Sequence, residues 1–106
     1  VAEKALTAVA PGPNEIIHQS VRLKIMSALN AQKEPLEFSR LKTISKATDG
    51  NLGAHLVTLE NAGYVAIDKD FVGKRPRTRV RLLPEGRRAF AEHVAYLREI
   101  LDGAGL

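Results

Sequence analysis

The sequence predicts an α+β fold, mostly helical: three helices, a two-stranded β-hairpin and a long C-terminal helix. Three observations lead there. Apolar residues recur at helical spacing up to Ala62. The period then switches from 3.6 to 2 through residues 64–83. Helical spacing returns after Pro84-Glu85-Gly86 and holds almost to the end of the chain.

At 106 residues, one domain is expected. Residues 1–10 have the composition of a weak helix, and Pro11-Gly12-Pro13 breaks any helix. Residues 1–14 therefore read as an N-terminal arm, either mobile or docked on a partner subunit. In the first core helix, Ile17, Val21, Ile25, Ala28 and Leu29 share one face, with Arg22 and Lys24 on the other side. Ser20 is its expected N-cap and about Ala31 its end. Glu34-Pro35 stops the pattern, leaving Leu36 as a lone apolar residue, at most a very short strand.

A second helix is expected over about 38–47, because Phe38, Leu41 and Ile44 fall on one face. Thr48-Asp49-Gly50 is a turn signal, with Asp49 the expected N-cap of a third helix over about 50–62. Leu52, Leu56 and Leu59 are its buried stripe, and Gly63 stands where a helix C-terminal glycine belongs. Val65 and Ile67, then Val80 and Leu82, alternate with polar or small neighbours, which predicts strands over 64–70 and 78–83. Between them, Gly73 and Pro76 supply turn chemistry for a hairpin tip over 71–77. Pro84 suits the first position of a last helix, ending near Leu101 before Asp102-Gly103-Ala104-Gly105.

Composition excludes more than it identifies. The absence of cysteine rules out disulfides, thiolate metal sites, iron–sulfur clusters and a cysteine nucleophile. No apolar run approaches the roughly 20 residues of a membrane span, and no secretory pattern opens the chain. A cytoplasmic protein is the expectation. The net charge of +4 is too modest to name a nucleic-acid partner. Its distribution says more: from Gly73 to Arg88 there are seven basic residues, and Glu85 is the only acid.

Several stretches together resemble a known family. Ser39-Arg40-Leu41-Lys42, Thr48-Asp49-Gly50-Asn51-Leu52-Gly53-Ala54-His55-Leu56 and Leu59-Glu60-Asn61-Ala62-Gly63-Tyr64-Val65 resemble winged helix-turn-helix transcriptional regulators of bacteria and archaea, related to the MarR and ArsR types. Lys74-Arg75-Pro76-Arg77-Thr78 and Leu82-Leu83-Pro84-Glu85-Gly86-Arg87 extend the resemblance, which covers about residues 17–101. Leu83 departs from it, since a threonine often stands there; the last helix then lacks a hydroxyl cap. The metal-sensing branch of the ArsR type uses cysteine pairs or clustered histidines. Here His18, His55 and His93 are far apart and share no ligand motif, so that role is not carried over, and no cofactor or metal is expected.

The resemblance implies double-stranded DNA as the partner. The third helix enters the major groove, and the hairpin, as a wing, meets the minor groove or backbone. With Leu52, Leu56 and Leu59 inward, Asn51, Ala54, His55 and Thr58 are expected outward. Asn can pair with adenine, Thr can bond a base edge or phosphate, and Ala54 with Gly53 permits close approach. His55 is assigned to phosphate or base contact. Lys74, Arg75 and Arg77 are placed at DNA, while Arg79 and Arg81 are left open because they can pair with Asp68 or Asp70. Ser39, Arg40 and Lys42 are expected phosphate contacts.

Phe90, Val94, Leu97 and Leu101 form a stripe on the last helix, widened by Ala89, Tyr96 and Ile100. A small domain covers about its first two turns, so the far end predicts a homodimer interface. The organisation is thus an arm over 1–14, a winged helix-turn-helix over 15–83 and a dimerisation helix over 84–106. The resemblance leaves room for an unidentified small-molecule effector near the dimer helices. An enzyme is disfavoured: no phosphate loop, paired carboxylates or nucleophile motif is present, and no calcium-ligand spacing follows Asp49-Gly50-Asn51. The rival reading is a winged-helix protein–protein docking module.

Overall fold

The computed structural model describes residues 12–106; the expected helix-forming stretch at 1–10 lies outside them. The elements are α1 (Ser20–Ala31), β1 (Leu36–Glu37), α2 (Phe38–Ser45), α3 (Asp49–Asn61), β2 (Val65–Val72), β3 (Arg75–Leu82) and α4 (Pro84–Gly103). The α+β, mostly helical class holds, and the very short strand open at Leu36 forms, so that the two-stranded hairpin becomes part of a three-stranded antiparallel sheet in the order β1-β3-β2. The lone Leu36 is the reason: it sits opposite Val80 and is buried there.

Local chemistry sets the helix ends, and both expected N-caps move by one residue. Gln19 caps α1, its side chain accepting from the Arg22 N–H at 2.9 Å. Thr48 caps α3, accepting from the Asn51 N–H at 3.2 Å. Ser20 and Asp49 are already helical; Asp49 instead places its charge at the positive end of the helix. Before α1, the Asn14 side chain accepts from the N–H groups of Ile16 and Ile17, each at 3.0 Å, and this turn seats Ile17 in the core. α2 stops at Ser45, short of the expected 47, because Lys46 adopts a left-handed backbone with φ 58°. The end of α3 is closed by Gly63 at φ 80°. Its N–H donates to Glu60 O at 2.9 Å, and that of Tyr64 to Leu59 O at 3.1 Å.

The hairpin is longer and tighter than expected. Pairing runs from Val65 opposite Leu82 to Val72 opposite Arg75, leaving Gly73-Lys74 as a two-residue turn with Gly73 at φ 64°. Most of the expected tip, Pro76 included, is therefore strand. Pro76 is tolerated there for a geometric reason. In such a hairpin the pair flanking the turn exchanges hydrogen bonds, so the next pair, Phe71 and Pro76, does not. On its other side β3 is open at this point, because β1 reaches only Arg79 and Val80.

One core draws Ile25, Met26 and Leu29 from α1, Leu41 from α2, Leu52, Leu56 and Leu59 from α3, Val65 and Val80 from the hairpin, and Ala89 and Phe90 from α4. Each large side chain contributes roughly 1.5–3 kcal/mol by burial. Phe90 thus corrects an expectation: it fills this chain's own core, not a surface for a partner. Val94 packs partly against the core, Leu97 is half-buried, and Ile100 and Leu101 are 49% and 48% exposed. Pro84 opens α4, and Leu83 before it makes no side-chain cap. No described helix is long and apolar enough to cross a membrane.

Candidate nucleic-acid interface

α2, the short turn after it and α3 form the helix pair, and α3 is set by its leucines. With Leu52, Leu56 and Leu59 fully or nearly buried, the helical repeat turns Ala54, Val57, Thr58 and Asn61 to solvent; Gly50 and Asn51 are exposed in the first turn. Asn51, Ala54 and Thr58 lie where the sequence placed them. The Thr58 hydroxyl donates to Ala54 O at 3.2 Å, which leaves its oxygen free to accept. Val57, half-exposed, was missed. Its signal was available, since it stands one position after Leu56 and so about 100° off the buried stripe.

His55 does not point outward as expected. Three positions after Leu52 and one before Leu56, it lies on the shoulder of the buried stripe and is half-buried. There its Nδ1 sits 2.9 Å from an Arg22 guanidinium nitrogen, while the Arg22 Nε donates to Ile16 O. A guanidinium only donates, so Nδ1 accepts and the proton sits on Nε2. Burial first, then the charge of Arg22, lowers the His55 pKa.

On α2, Ser39 and Arg40 are exposed. Lys42 is exposed too, but its ammonium lies 2.8 Å from the Asp49 carboxylate. Both partners face solvent, so the pair is weak and a phosphate can replace it.

The pleat divides the wing into two faces. Ile67, Lys69 and Phe71 share one with Val80, Thr78 and Pro76. Asp68, Asp70 and Val72 share the other with Arg81, Arg79, Arg77 and Arg75. Arg77, placed at DNA by the sequence, is held by the residue directly opposite it. Its Nε donates to Asp70 Oδ1 at 3.0 Å and its Nη2 to Oδ2 at 2.7 Å. Arg79 reaches the same carboxylate at 3.4 Å, and Arg81 pairs with Asp68 at 3.0 Å. The hydrogen bond from Arg77 holds the Asp70 carboxyl below its usual pKa. Lys74 and Arg75 are exposed and have no ion-pair partner among the described residues.

Two clefts bring these parts together. Gly53 and Val57 of α3 share one with Lys69 and Thr78 of the wing. Ser39 of α2 shares the other with Arg75 and Arg77. His18 and His93, distant in sequence, also meet away from the leucine stripe of α3. His93 is buried; its Nδ1 accepts from the Asn14 N–H at 3.1 Å, and its Nε2 lies 3.2 Å from His18 Nδ1. The accepting Nδ1 leaves the proton on Nε2, which suits a bond to His18 and not a metal ligand. Among the described residues, no three metal-binding side chains cluster.

Residues 21–101 match the family model described as a winged helix DNA-binding domain. An uncharacterized protein of Methanocaldococcus jannaschii is 38% identical over 88 residues, covering 83% of this chain and 91% of that protein. Among solved structures, a transcriptional regulator homologue from Pyrococcus horikoshii OT3 superposes with a TM-score of 0.78 at 29% identity, covering 98% of this chain and 97% of that one. A MarR-family transcriptional regulator from Silicibacter pomeroyi shares the fold, with a TM-score of 0.68 at 22% identity, over 85% of this chain and 59% of that one.

Proposed function

This chain belongs to the winged helix DNA-binding domain family, and on that footing we propose that it is a transcriptional regulator that binds near-palindromic DNA as a homodimer. One observation carries the reading: α3 presents small and polar side chains on its exposed arc, directly beside a cationic wing. The major groove, about 12 Å wide, admits one such helix. Asn51 and Thr58 supply hydrogen bonds to base edges, and Ala54 and Val57 supply apolar contact to thymine methyls. Ser39, Arg40 and Lys42 hold phosphates beside the groove. Lys74 and Arg75 reach the minor groove or backbone, and Arg77 joins them only by leaving Asp70. His55 acts from the flank as a neutral Nε2–H donor to phosphate, its tautomer set by Arg22.

The dimer forms through the outer half of α4. Leu97, Ile100 and Leu101 supply its apolar face and Val94 its inner margin. A two-fold axis there presents two α3 helices to one face of the duplex, about one helical turn apart. An effector bound near this axis would change that spacing.

Titrating the protein into a random-sequence duplex pool at two salt concentrations, and sequencing what it retains, tests the reading. The expected result is salt-sensitive binding that enriches a near-palindromic site. Retention without enrichment would reduce the protein to a nonspecific DNA binder. No binding at low salt would replace the reading with a protein-docking module.

A further inference from the structure

The wing tip is apolar as well as basic. Phe71 is 69% exposed and Val72 55% exposed, and the exposed Pro76 lies directly opposite Phe71. Of the other exposed large apolar residues, Val57 has a place in the proposed function at the groove and Ile100 and Leu101 at the dimer face, while Leu106 lies at the far end of the chain from the wing. Phe71 and Val72 have no such place.

Direction decides what Phe71 can touch. It shares a face of the wing with Lys69 and Thr78, and those two border the cleft with Gly53 and Val57 of α3. Two residues further along β2, or about 7 Å, Phe71 projects on the same side as the helix that reads the groove. Arg75, Arg77, Arg79 and Arg81 occupy the opposite face. The surroundings select an anionic partner. Lys69 and Lys74 are exposed on the same hairpin, whose acids Asp70 and Asp68 are already occupied by arginines; Glu37 of β1 shares a cleft with Arg75, Pro76 and Arg77, and the basic residues of the wing outnumber these three acids. The tip is a two-residue turn closed by a continuous ladder of paired residues, which fixes the face from which Phe71 projects.

We propose that Phe71, backed by Pro76, is a wedge that enters the minor groove, partly unstacks a base step and bends the duplex toward the groove-reading helix. The inference rests on the DNA-binding reading above. Phenylalanine and proline are among the side chains that open base steps in this way, with bends of about 20–90°. Pyrimidine–purine steps yield most easily, so the wedge would add a preference for TA steps at a position that α3 does not contact.

The test uses a duplex of about 30 base pairs, A·T-rich with TA steps and a dye at each end. Energy transfer reports bending, and 2-aminopurine at the TA step reports unstacking. Under saturating wild-type protein the ends should approach and 2-aminopurine should brighten. Phe71→Ala should bind about tenfold more weakly and leave the duplex straight. Phe71→Leu, which keeps a wedge, should retain most of the bend. An unchanged thermal melt for both variants separates this effect from misfolding, since the ring is exposed. Arg75→Ala should weaken binding and flatten its salt dependence while the saturated duplex still bends. A straight duplex under saturating wild-type protein, or a Phe71→Ala protein that bends DNA like wild type, overturns the wedge and leaves the DNA-binding reading standing. Failure of the wild type to bind at low salt brings down both.

Discussion

Gly86 shows how narrowly one residue can be constrained. A Cβ there would lie 2.9 Å from both the Cα and carbonyl carbon of Tyr64 and closer still to its oxygen, where α4 crosses the end of α3. That oxygen also accepts from the Leu83 N–H at 2.9 Å, so the backbone cannot easily retreat. Gly86→Ala should lower stability by about 1–3 kcal/mol in urea unfolding. Gly53 is the contrast: it is inside α3 with open space around it, so Gly53→Ala should raise stability by about 0.5–1 kcal/mol. Histidine sets a pH dependence. Burial lowers the His93 pKa, and the charge of His18 lowers it further; His55 is lowered by burial and then by Arg22. The unfolded chain therefore takes up protons that the folded chain resists. Stability should be full above the ordinary histidine value of about 6.5 and decline as pH falls from there toward the folded pKa values. Urea midpoints across that range check this, and His93→Gln should flatten the slope. Neither the Gly86 contact nor the His18–His93 pair was legible in the sequence, because 75 positions separate the two histidines and no motif marks a close backbone approach.

Among the elements, the wing holds the largest gap between sequence and structure. Alternation made its two strands legible, and it also states which residues share a face. What alternation cannot supply is register. The ion pairs left open for Arg79 and Arg81 do form, with Asp70 and Asp68, but only pairing shows that Asp70 stands opposite Arg77 and holds it as well. The consequence is testable by salt dependence. Arg75→Ala should reduce the slope of log K against log salt by about 0.9, the value for one phosphate contact. Asp70→Asn should do the reverse, raising affinity and steepening the slope as Arg77 and Arg79 are released to phosphates. An unchanged slope in Asp70→Asn would mean that Arg77 does not reach DNA in either state. The helix caps tell a smaller version of the same story. Cap chemistry was recognised, but Gln19 and Thr48 precede the residues chosen for it, because composition does not locate the first helical φ and ψ.

For the whole molecule, the question is how many copies act together. α4 is apolar beyond the point where its own domain can cover it, and Ile100 and Leu101 lie on that uncovered half. Ile100→Glu with Leu101→Glu should yield a monomer by sedimentation equilibrium. The thermal melt should move by only a few degrees, since neither side chain fills the core. Affinity for a selected palindromic duplex should fall by at least tenfold, because the two heads no longer bind as one unit. A double variant that remains dimeric would relocate the interface, with α1 and the segment before it the next surface to test.

Periodicity along the chain was enough for the element order, the leucine stripe of α3, the glycine that ends it and the cationic hairpin. These depend on neighbours within a few residues, and local backbone preference and alternation report such neighbours directly. The occupancy of each exposed group required the folded chain. Leu36 became a strand only through Val80, Phe90 became core only through the helices beneath it, Arg77 lost its freedom only through Asp70, and His55 took its tautomer only through Arg22. Each of these depends on a partner that sequence spacing does not specify. Burial and charge pairing are properties of the space around a side chain, and that space exists only once the elements have packed.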